Sequence, residues 1–328
     1  GSFMGFEVGF TDAFRLGIDF AYEKERFRKA GIEFEVHNCN TEDDILEQMQ
    51  DCDVHILVAA PYTKRVIDGL PKLKGLCRFG IGVDSIDVPA ATEKGVKVCN
   101  DTGYCLEEVA THAFALILDL FRKTTLLDRS VRGGEWTWSA GYEARNLTGI
   151  TVGLAGCGNI ARYLLRFLAP FHCRVIAYDP FLDAETIAAR GAEKVSFDEL
   201  LEQSDVISIH CHLTEQTRHM FDAEAFRKMK KGSFIVNVSR GALIDTYALA
   251  DAIRAGQLQG AGLDTHESEP LVADHPLRTM DTVVLTPHSA HYSSKAFETL
   301  RCHMVDQAIA VIEGTMPQFL FNRKQLGL

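Results

Sequence analysis

The chain has 328 residues, 46% of them hydrophobic, a length and composition that suit two buried cores rather than one. It carries 34 basic and 45 acidic residues, a formal charge of −11, which repels phosphate backbones and argues against a nucleic-acid partner. Nine cysteines, an odd number with no CxxC pair, fit a reduced cytoplasmic protein rather than a disulfide scaffold, and no apolar run of about 18 residues predicts a membrane span.

The N-terminus has no basic region followed by an apolar one, so no secretory leader is expected, and Gly1 and Ser2 are read as an expression remnant. Over the first hundred residues, short strands are predicted at Phe6 to Phe10, Ile32 to His37, Val54 to Ala59, Cys77 to Phe79 and Val96 to Cys99. Amphipathic helical stretches, Asp12 to Ala30 and Glu42 to Gln50 among them, separate these strands. Such alternation implies a parallel sheet covered by helices. A helix from about Leu106 to Phe121 is apolar nearly all round, which demands cover on most faces: a buried crossover, a subunit interface or both.

After the stretch from Gly133 to Gly149, which holds Trp136 and Trp138, a second α/β series begins. Six strands are predicted, at Thr151 to Ala155, Arg174 to Tyr178, Val206 to His210, Ser233 to Val238, Gln259 to Leu263 and Val283 to Thr286. Helical segments such as Asn159 to Pro170 and Tyr247 to Ala255 fit between them, as a doubly wound dinucleotide domain requires. A last helix, Ser293 to Glu313, then leaves this domain, and the tail from Pro317 to Leu328 is expected to return to the first.

The run Thr151-Val152-Gly153-Leu154-Ala155-Gly156-Cys157-Gly158-Asn159-Ile160-Ala161 reads as strand, glycine turn and helix start. Gly156 permits the tight turn, Gly158 lets main chain approach a pyrophosphate, and Ala161 takes the third small position. Asp179 ends the next strand about twenty residues on, where a carboxylate accepts hydrogen bonds from the adenosine ribose. It repels a 2′-phosphate, and no arginine follows it directly, so the cofactor is read as NAD rather than NADP.

Three polar residues then follow three strands: Arg240 in Val236-Asn237-Val238-Ser239-Arg240-Gly241, Glu269 in Asp264-Thr265-His266-Glu267-Ser268-Glu269-Pro270, and His288 in Thr286-Pro287-His288. Ligands of doubly wound sheets bind outside the carboxyl ends of strands, so the three can share one crevice. Arginine binds a carboxylate in a bidentate fork. Histidine can give a proton to a ketone oxygen, and a neighbouring glutamate orients the ring and favours its charged form. Taken singly, each has an ordinary reading: a surface ion pair, a structural histidine, a solvated acidic turn.

Other residues carry weaker signals. His210 and His212 flank Cys211 on one face of a predicted strand, but no further ligand lies at zinc spacing, so no metal is expected. Trp136 and Trp138 are read as packing the interdomain connection. Cys157 sits at a helix start, where a thiol pKa can fall, against the plainer reading of a packing cysteine.

These segments resemble the D-isomer-specific 2-hydroxyacid dehydrogenases over about Val54 to Gly314. The likeness rests on Arg78-Phe79-Gly80-Ile81-Gly82-Val83-Asp84-Ser85-Ile86-Asp87, the turn at Gly156, Asn237 to Asp245, Gly262 to Pro270 and Thr286-Pro287-His288, in that order. The resemblance implies a fold of two α/β domains with a cleft between them. One is a flavodoxin-like substrate domain over 1–103 completed by 295–328, the other a doubly wound Rossmann NAD-binding domain over 104–294. It implies Arg240 as the substrate-binding arginine, His288 as the catalytic acid–base, Glu269 as its support, and main chain at Ile81 and Gly82 as the holder of the substrate carboxylate. Asn159 and Ile160 would face the pyrophosphate, and Cys211, Val238 and Asp264 would line the cofactor, Asp264 toward the nicotinamide. Tyr62 falls in a loop the family uses near substrate. A homodimer through the nucleotide domains is also implied, and the apolar helix at Val109 fits that interface.

The implied reaction interconverts a 2-oxo acid and a D-2-hydroxy acid with NADH and NAD, on substrates such as glyoxylate, hydroxypyruvate or pyruvate. The stretches His266 to Pro270 and Pro287 to Ser293 lean toward the branch that includes the C-terminal-binding-protein corepressors, which carry a tryptophan where this chain has His291. Thr111 stands where many members have an acid. The alternative is therefore an NAD(H)-responsive, corepressor-like binding protein with little turnover. Formate dehydrogenases are similar but usually carry glutamine at the position of Glu269.

Overall fold

The computed structural model describes residues 5–328, so Gly1 and Ser2 lie outside the described residues. The chain divides into two compact units, one formed by the residues up to Tyr104 together with Ser293–Leu328, the other by Cys105–Tyr292.

The first unit alternates β1 (Glu7–Phe10), α1 (Ala21–Ala30), β2 (Glu33–Val36), α2 (Glu42–Gln48), β3 (Val54–Leu57), α3 (Lys64–Asp68), β4 (Gly75–Arg78), α4 (Val88–Glu93) and β5 (Lys97–Cys99). Its five strands are parallel in the order β2-β1-β3-β4-β5, the flavodoxin-like arrangement. Every residue of β3 is buried, as a central parallel strand covered on both faces demands. On the edge strand β2, Glu33 and Glu35 point to solvent, where charge discourages further strand pairing.

The stretch from Asp12 to Ala30 is not one helix. Asp12 is buried and its carboxylate accepts the Val58 and Ala59 N–H groups at 2.8 Å each, with Arg15 Nε at 2.8 Å. That anchorage, with Gly17 at φ +60°, leaves a single 3-10 turn, Ala13–Arg15, before α1 begins. The C-terminal tail packs on this same unit. Buried Asn322 accepts the Val98 N–H at 2.9 Å and donates to the Val96 carbonyl at 3.0 Å, so its amide fills the place of a strand neighbour beside β5.

The second unit opens with α5 (Leu106–Arg122) and α6 (Thr124–Arg132). It continues through β6 (Thr151–Ala155), α7 (Asn159–Leu168), β7 (Arg174–Tyr178), α8 (Ala184–Arg190), β8 (Glu193–Lys194), α9 (Phe197–Gln203) and β9 (Val206–Ile209). It closes with α10 (Ala223–Lys228), β10 (Ser233–Asn237), α11 (Thr246–Arg254), β11 (Leu258–Leu263) and β12 (Val283–Leu285); α12 (Ser294–Glu313) belongs to the first unit. Seven parallel strands lie in the order β12-β11-β10-β9-β6-β7-β8, a doubly wound sheet whose strand order reverses between β6 and β9. The strand beyond the predicted six is β8, two exposed residues pairing with Ile176 and Ala177.

α5 buries Val109, Ala113, Leu116, Ile117, Leu120 and Phe121 against α7, β10 and β11. Its apolar character does not translate into cover all round, because Thr111 and Ala115 are exposed. Among the described residues, no helix is long and apolar enough to cross a membrane.

Candidate active site

The glycine turn sits at the point where strand order reverses. All of β6 is buried, and Gly156 follows it at φ +95°. A Cβ there would stand 2.8 Å from both the His210 carbonyl carbon and the Cys211 nitrogen, so the exits of β6 and β9 touch. Gly158 opens α7 without a side-chain cap, whereas α8, α9, α10 and α11 are capped by Asp183, Ser196, Asp222 and Asp245. A Cβ at Gly158 would meet nothing within 4 Å, so the first-turn N–H groups, those of Asn159 and Ile160 among them, border open space. Free donors, helix dipole and clearance suit a pyrophosphate.

Asp179 follows β7 directly, buried, its two oxygens accepting the Cys157 and Phe181 N–H groups at 2.9 Å each. An ionised carboxylate has about four acceptor positions, so capacity remains for a ligand hydroxyl. Arg190 donates to the Cys157 carbonyl and puts a cation beside the turn. No local spacing signalled it, since it arrives from the far end of α8.

The sulfur groups here are not activated. Burial pushes the Cys157 thiol up, against the opposing pull of Arg190, so the helix start does not lower its pKa. Burial likewise pushes Cys211 up to about 11 and His210 down to about 4, which keeps that imidazole neutral near pH 7. His210 and His212 do not share a strand face: β9 stops at Ile209, His210 turns in to Ser208 Oγ at 2.8 Å, and His212 is exposed. Among the described residues, no group of three or more His, Cys, Asp or Glu side chains could hold a metal.

Arg240, Glu269 and His288 leave the sheet from the carboxyl ends of three neighbouring strands, β10, β11 and β12. Buried Asn237 shapes the first exit: its amide donates to the Arg240 carbonyl at 2.8 Å and accepts the Ser239 N–H at 3.0 Å. Val238 is buried beside it, and the Arg240 guanidinium donates to the Ser239 carbonyl at 3.0 Å. Gly241 is required by close approach, since a Cβ would fall 2.0 Å from the His266 carbonyl carbon. The arginine segment and the acidic loop are therefore in direct contact.

Glu269 and His288 are joined. Glu269 Oε2 lies 2.7 Å from His288 Nδ1, and Glu269 Oε1 accepts the His266 N–H at 3.1 Å. An ionised carboxylate only accepts, so Nδ1 carries the proton and Nε2 is left to exchange one with a ligand. The side chains are 42% and 39% exposed, accessible to a ligand. His288 has φ +53°, a left-handed conformation unusual for a residue with a Cβ. It is held there by its N–H on the Asp264 carbonyl at 2.8 Å. The buried Asp264 carboxylate also accepts the Thr286 hydroxyl at 2.6 Å and the Ser289 and Ala290 N–H groups at 2.8 and 3.0 Å. Burial pushes this carboxyl up, but those three donors with His112 outweigh it and hold it below the usual range.

Ile81 and Gly82 lie in the first unit just past β4, where the Ile81 carbonyl accepts Asn100 Nδ2 at 2.9 Å. Tyr62 is wholly buried, its hydroxyl 2.7 Å from both Thr11 Oγ1 and His55 Nδ1, so its polar end is occupied inside the core. Trp136 and Trp138 are 89% and 78% exposed and do not pack against a connection.

A nucleotide-binding sheet with an imidazole–carboxylate pair at its carboxyl edge has the parts of a nicotinamide-dependent oxidoreductase. The family model described as D-isomer specific 2-hydroxyacid dehydrogenase, NAD binding domain, matches residues 114–290. The chain is 36% identical over 287 residues to a glyoxylate reductase of Korarchaeum cryptofilum, covering 85% of this chain and 86% of that one. Among solved structures, the TT0316 protein of Thermus thermophilus superposes with a TM-score of 0.87 at 30% identity, covering 96% of this chain and 99% of that one. A D-lactate dehydrogenase of Aquifex aeolicus complexed with NAD and lactic acid gives 0.83 at 27%, covering 98% and 97%. The chain belongs to the D-isomer specific 2-hydroxyacid dehydrogenase family. It is an NAD-dependent oxidoreductase that interconverts 2-oxo acids and D-2-hydroxy acids.

Proposed function

We propose that the protein reduces small 2-oxo acids of the glyoxylate, hydroxypyruvate or pyruvate kind, with Arg240, Glu269 and His288 as its catalytic residues. The observation that carries this is the 2.7 Å contact between Glu269 and His288 at the carboxyl edge of the nucleotide-binding sheet. NADH, when bound, supplies the hydride. Arg240 grips the substrate carboxylate in a two-pronged fork, and the family likeness assigns main chain at Ile81 and Gly82 to the same carboxylate. His288 Nε2 gives its proton to the ketone oxygen, and takes it back in the oxidative direction. Glu269 keeps the proton on Nδ1 throughout and offsets the charge on the protonated ring. The N–H groups at Gly158, Asn159 and Ile160 receive the pyrophosphate, with Gly156 giving clearance. Asp179 receives the adenosine ribose, and Cys211, Val238 and Asp264 line the cofactor.

In this reading 1–103 with 295–328 is the substrate domain and 104–294 the NAD domain. The working form is a homodimer through the NAD domains, in a reducing cytoplasm where the nine free thiols persist. The relatives named glyoxylate reductase support a small substrate. The test is NADH oxidation against a panel of 2-oxo acids, with NADPH alongside and His288→Ala as the control. Turnover with NADH that disappears in His288→Ala is expected. Firm NADH binding with no turnover on any acid would overturn the enzymatic reading and favour an NAD(H)-responsive binding protein.

A further inference from the structure

We propose that His112 and His266 form a two-sided clamp on Thr286 that sets where His288 stands, a positioning role that rests on His288 being the acid–base residue. His112 Nε2 lies 2.9 Å from Thr286 Oγ1, and Thr286 Oγ1 lies 2.6 Å from Asp264 Oδ1. On the other side, His266 Nε2 lies 2.8 Å from the Thr286 carbonyl oxygen. The directions of these bonds follow from valence. Asp264 is an ionised acceptor, so the single hydroxyl proton of Thr286 goes to it. The hydroxyl oxygen must then accept toward His112, which makes His112 Nε2 a donor. A carbonyl only accepts, so His266 Nε2 is a donor as well. Thr286 is thus gripped from α5 through its side chain and from the acidic loop through its main chain, two residues before His288.

The clamp also reaches the other half of the pair. The backbone N–H of His266 holds Glu269 Oε1 at 3.1 Å while Glu269 Oε2 holds the His288 ring at 2.7 Å. His266 therefore fixes the carboxylate with its main chain and the segment that presents the imidazole with its ring. Asp264 closes the ring of bonds by accepting the His288 N–H on its carbonyl at 2.8 Å. His112 stands 3.6 Å from Asp264 Oδ1 and faces that buried charge across the Thr286 hydroxyl. A His288 held at φ +53° relaxes when its supports are removed, and a shift of about 1 Å at a reacting group costs up to about a hundredfold in rate.

The experiment compares His112→Leu and His266→Phe, which remove the donors, with His112→Gln and His266→Gln, which keep one. It reads kcat and KM for glyoxylate, NADH affinity by fluorescence, and Tm. Expected is a fall in kcat of about tenfold in each donor-free variant, NADH affinity within about twofold of wild type, and recovery of most of the loss in the glutamine variants. The double donor-free variant should lose less than the product of the single losses, because both act through Thr286. Unchanged kcat in the donor-free variants, glutamine no better than leucine or phenylalanine, or NADH affinity falling in step with kcat would each overturn the clamp. If a donor-free variant fails to fold, Thr286→Val decides: adding His112→Gln to Thr286→Val should leave kcat at the value of Thr286→Val alone, and a further fall refutes coupling through the hydroxyl. A wild type inactive on the whole panel, or a His288→Asn variant that turns over normally, sinks the role of His288 and the clamp with it. An essential His288 with indifferent clamp variants sinks the clamp alone.

Discussion

In the proposed reaction, Glu269 decides which nitrogen of His288 does chemistry. At 2.7 Å from Nδ1 it is an acceptor that keeps a proton there, and Nε2 is the nitrogen left for substrate. Its other oxygen is held by the His266 N–H, so the carboxylate has little freedom to swing away. With both side chains about two-fifths exposed, the pair contributes little to folding stability, about 1 kcal/mol or less for an ion pair so placed. Under the proposed mechanism its effect falls on the transition state instead, where imidazolium charge is made and lost. Glu269→Gln keeps an acceptor for Nδ1 and removes the charge. Steady-state kinetics should then show kcat down by about ten- to a hundredfold, with Tm and NADH affinity nearly unchanged. A kcat within twofold of wild type would assign Glu269 a structural role.

Elements place these residues, and the elements differ in how plainly the sequence shows them. β6 and β7 occupy Thr151–Ala155 and Arg174–Tyr178, the spans their apolar runs predict, because strands covered on both faces tolerate few polar residues. β8 is two exposed charged residues, too short to leave a hydrophobic period, whereas α6 is amphipathic over nine residues but buries nothing within the chain. Asp12 misled the reading of the first helix because its carboxylate works as a backbone anchor across more than forty residues. The polar residues of the site could be picked out by chemistry and by position at strand ends. The links among them could not: His112 and Thr286 are 174 residues apart, and their bond depends on a register set only by folding.

Asp205, at the opposite end of the sheet, shows the same limit. It accepts the Thr151 N–H at 2.7 Å and meets Lys230 at 3.2 Å and Arg145 at 3.3 Å, while its own N–H and carbonyl join β6 and β10. Burial pushes its carboxyl up, but the Thr151 N–H and the two cations outweigh burial and hold the pKa below the usual range. A carboxyl depressed on folding stabilises the native state above its unfolded pKa of about 3.9 and loses that contribution as pH falls through the lower folded value. Asp205→Asn should therefore unfold at lower denaturant than wild type at pH 7, and the gap should narrow steadily below about pH 4. A gap independent of pH would mean that the amide disturbs packing rather than charge.

At the scale of the whole molecule, the proposed homodimer would draw on exposed residues of the second unit. Thr111 and Ala115 lie four apart on one exposed face of α5, and α6 buries no residue. Val131, Trp136, Trp138 and Tyr142 follow within twelve residues, all exposed, with the Trp138 and Tyr142 rings edge-on at 5.4 Å. Exposed apolar residues are ordinary when scattered, but large aromatics gathered on one segment are what the proposed homodimer would cover. A second copy of the chain is the partner that this reading requires, joined with the same patch on each side. Ala115→Arg separates association from folding. A long charged side chain on an exposed helix face changes the stability of a monomer by about 0.5 kcal/mol or less, whereas at the centre of an interface it buries an unpaired charge. Sedimentation equilibrium at micromolar protein should find the wild type at twice the chain mass and Ala115→Arg at the chain mass, with unchanged circular dichroism. The wild type should also melt higher as its concentration rises, by mass action, and the variant should not. A wild type that sediments at the chain mass would leave the aromatic segment without a partner copy, and the dimer would have to be abandoned.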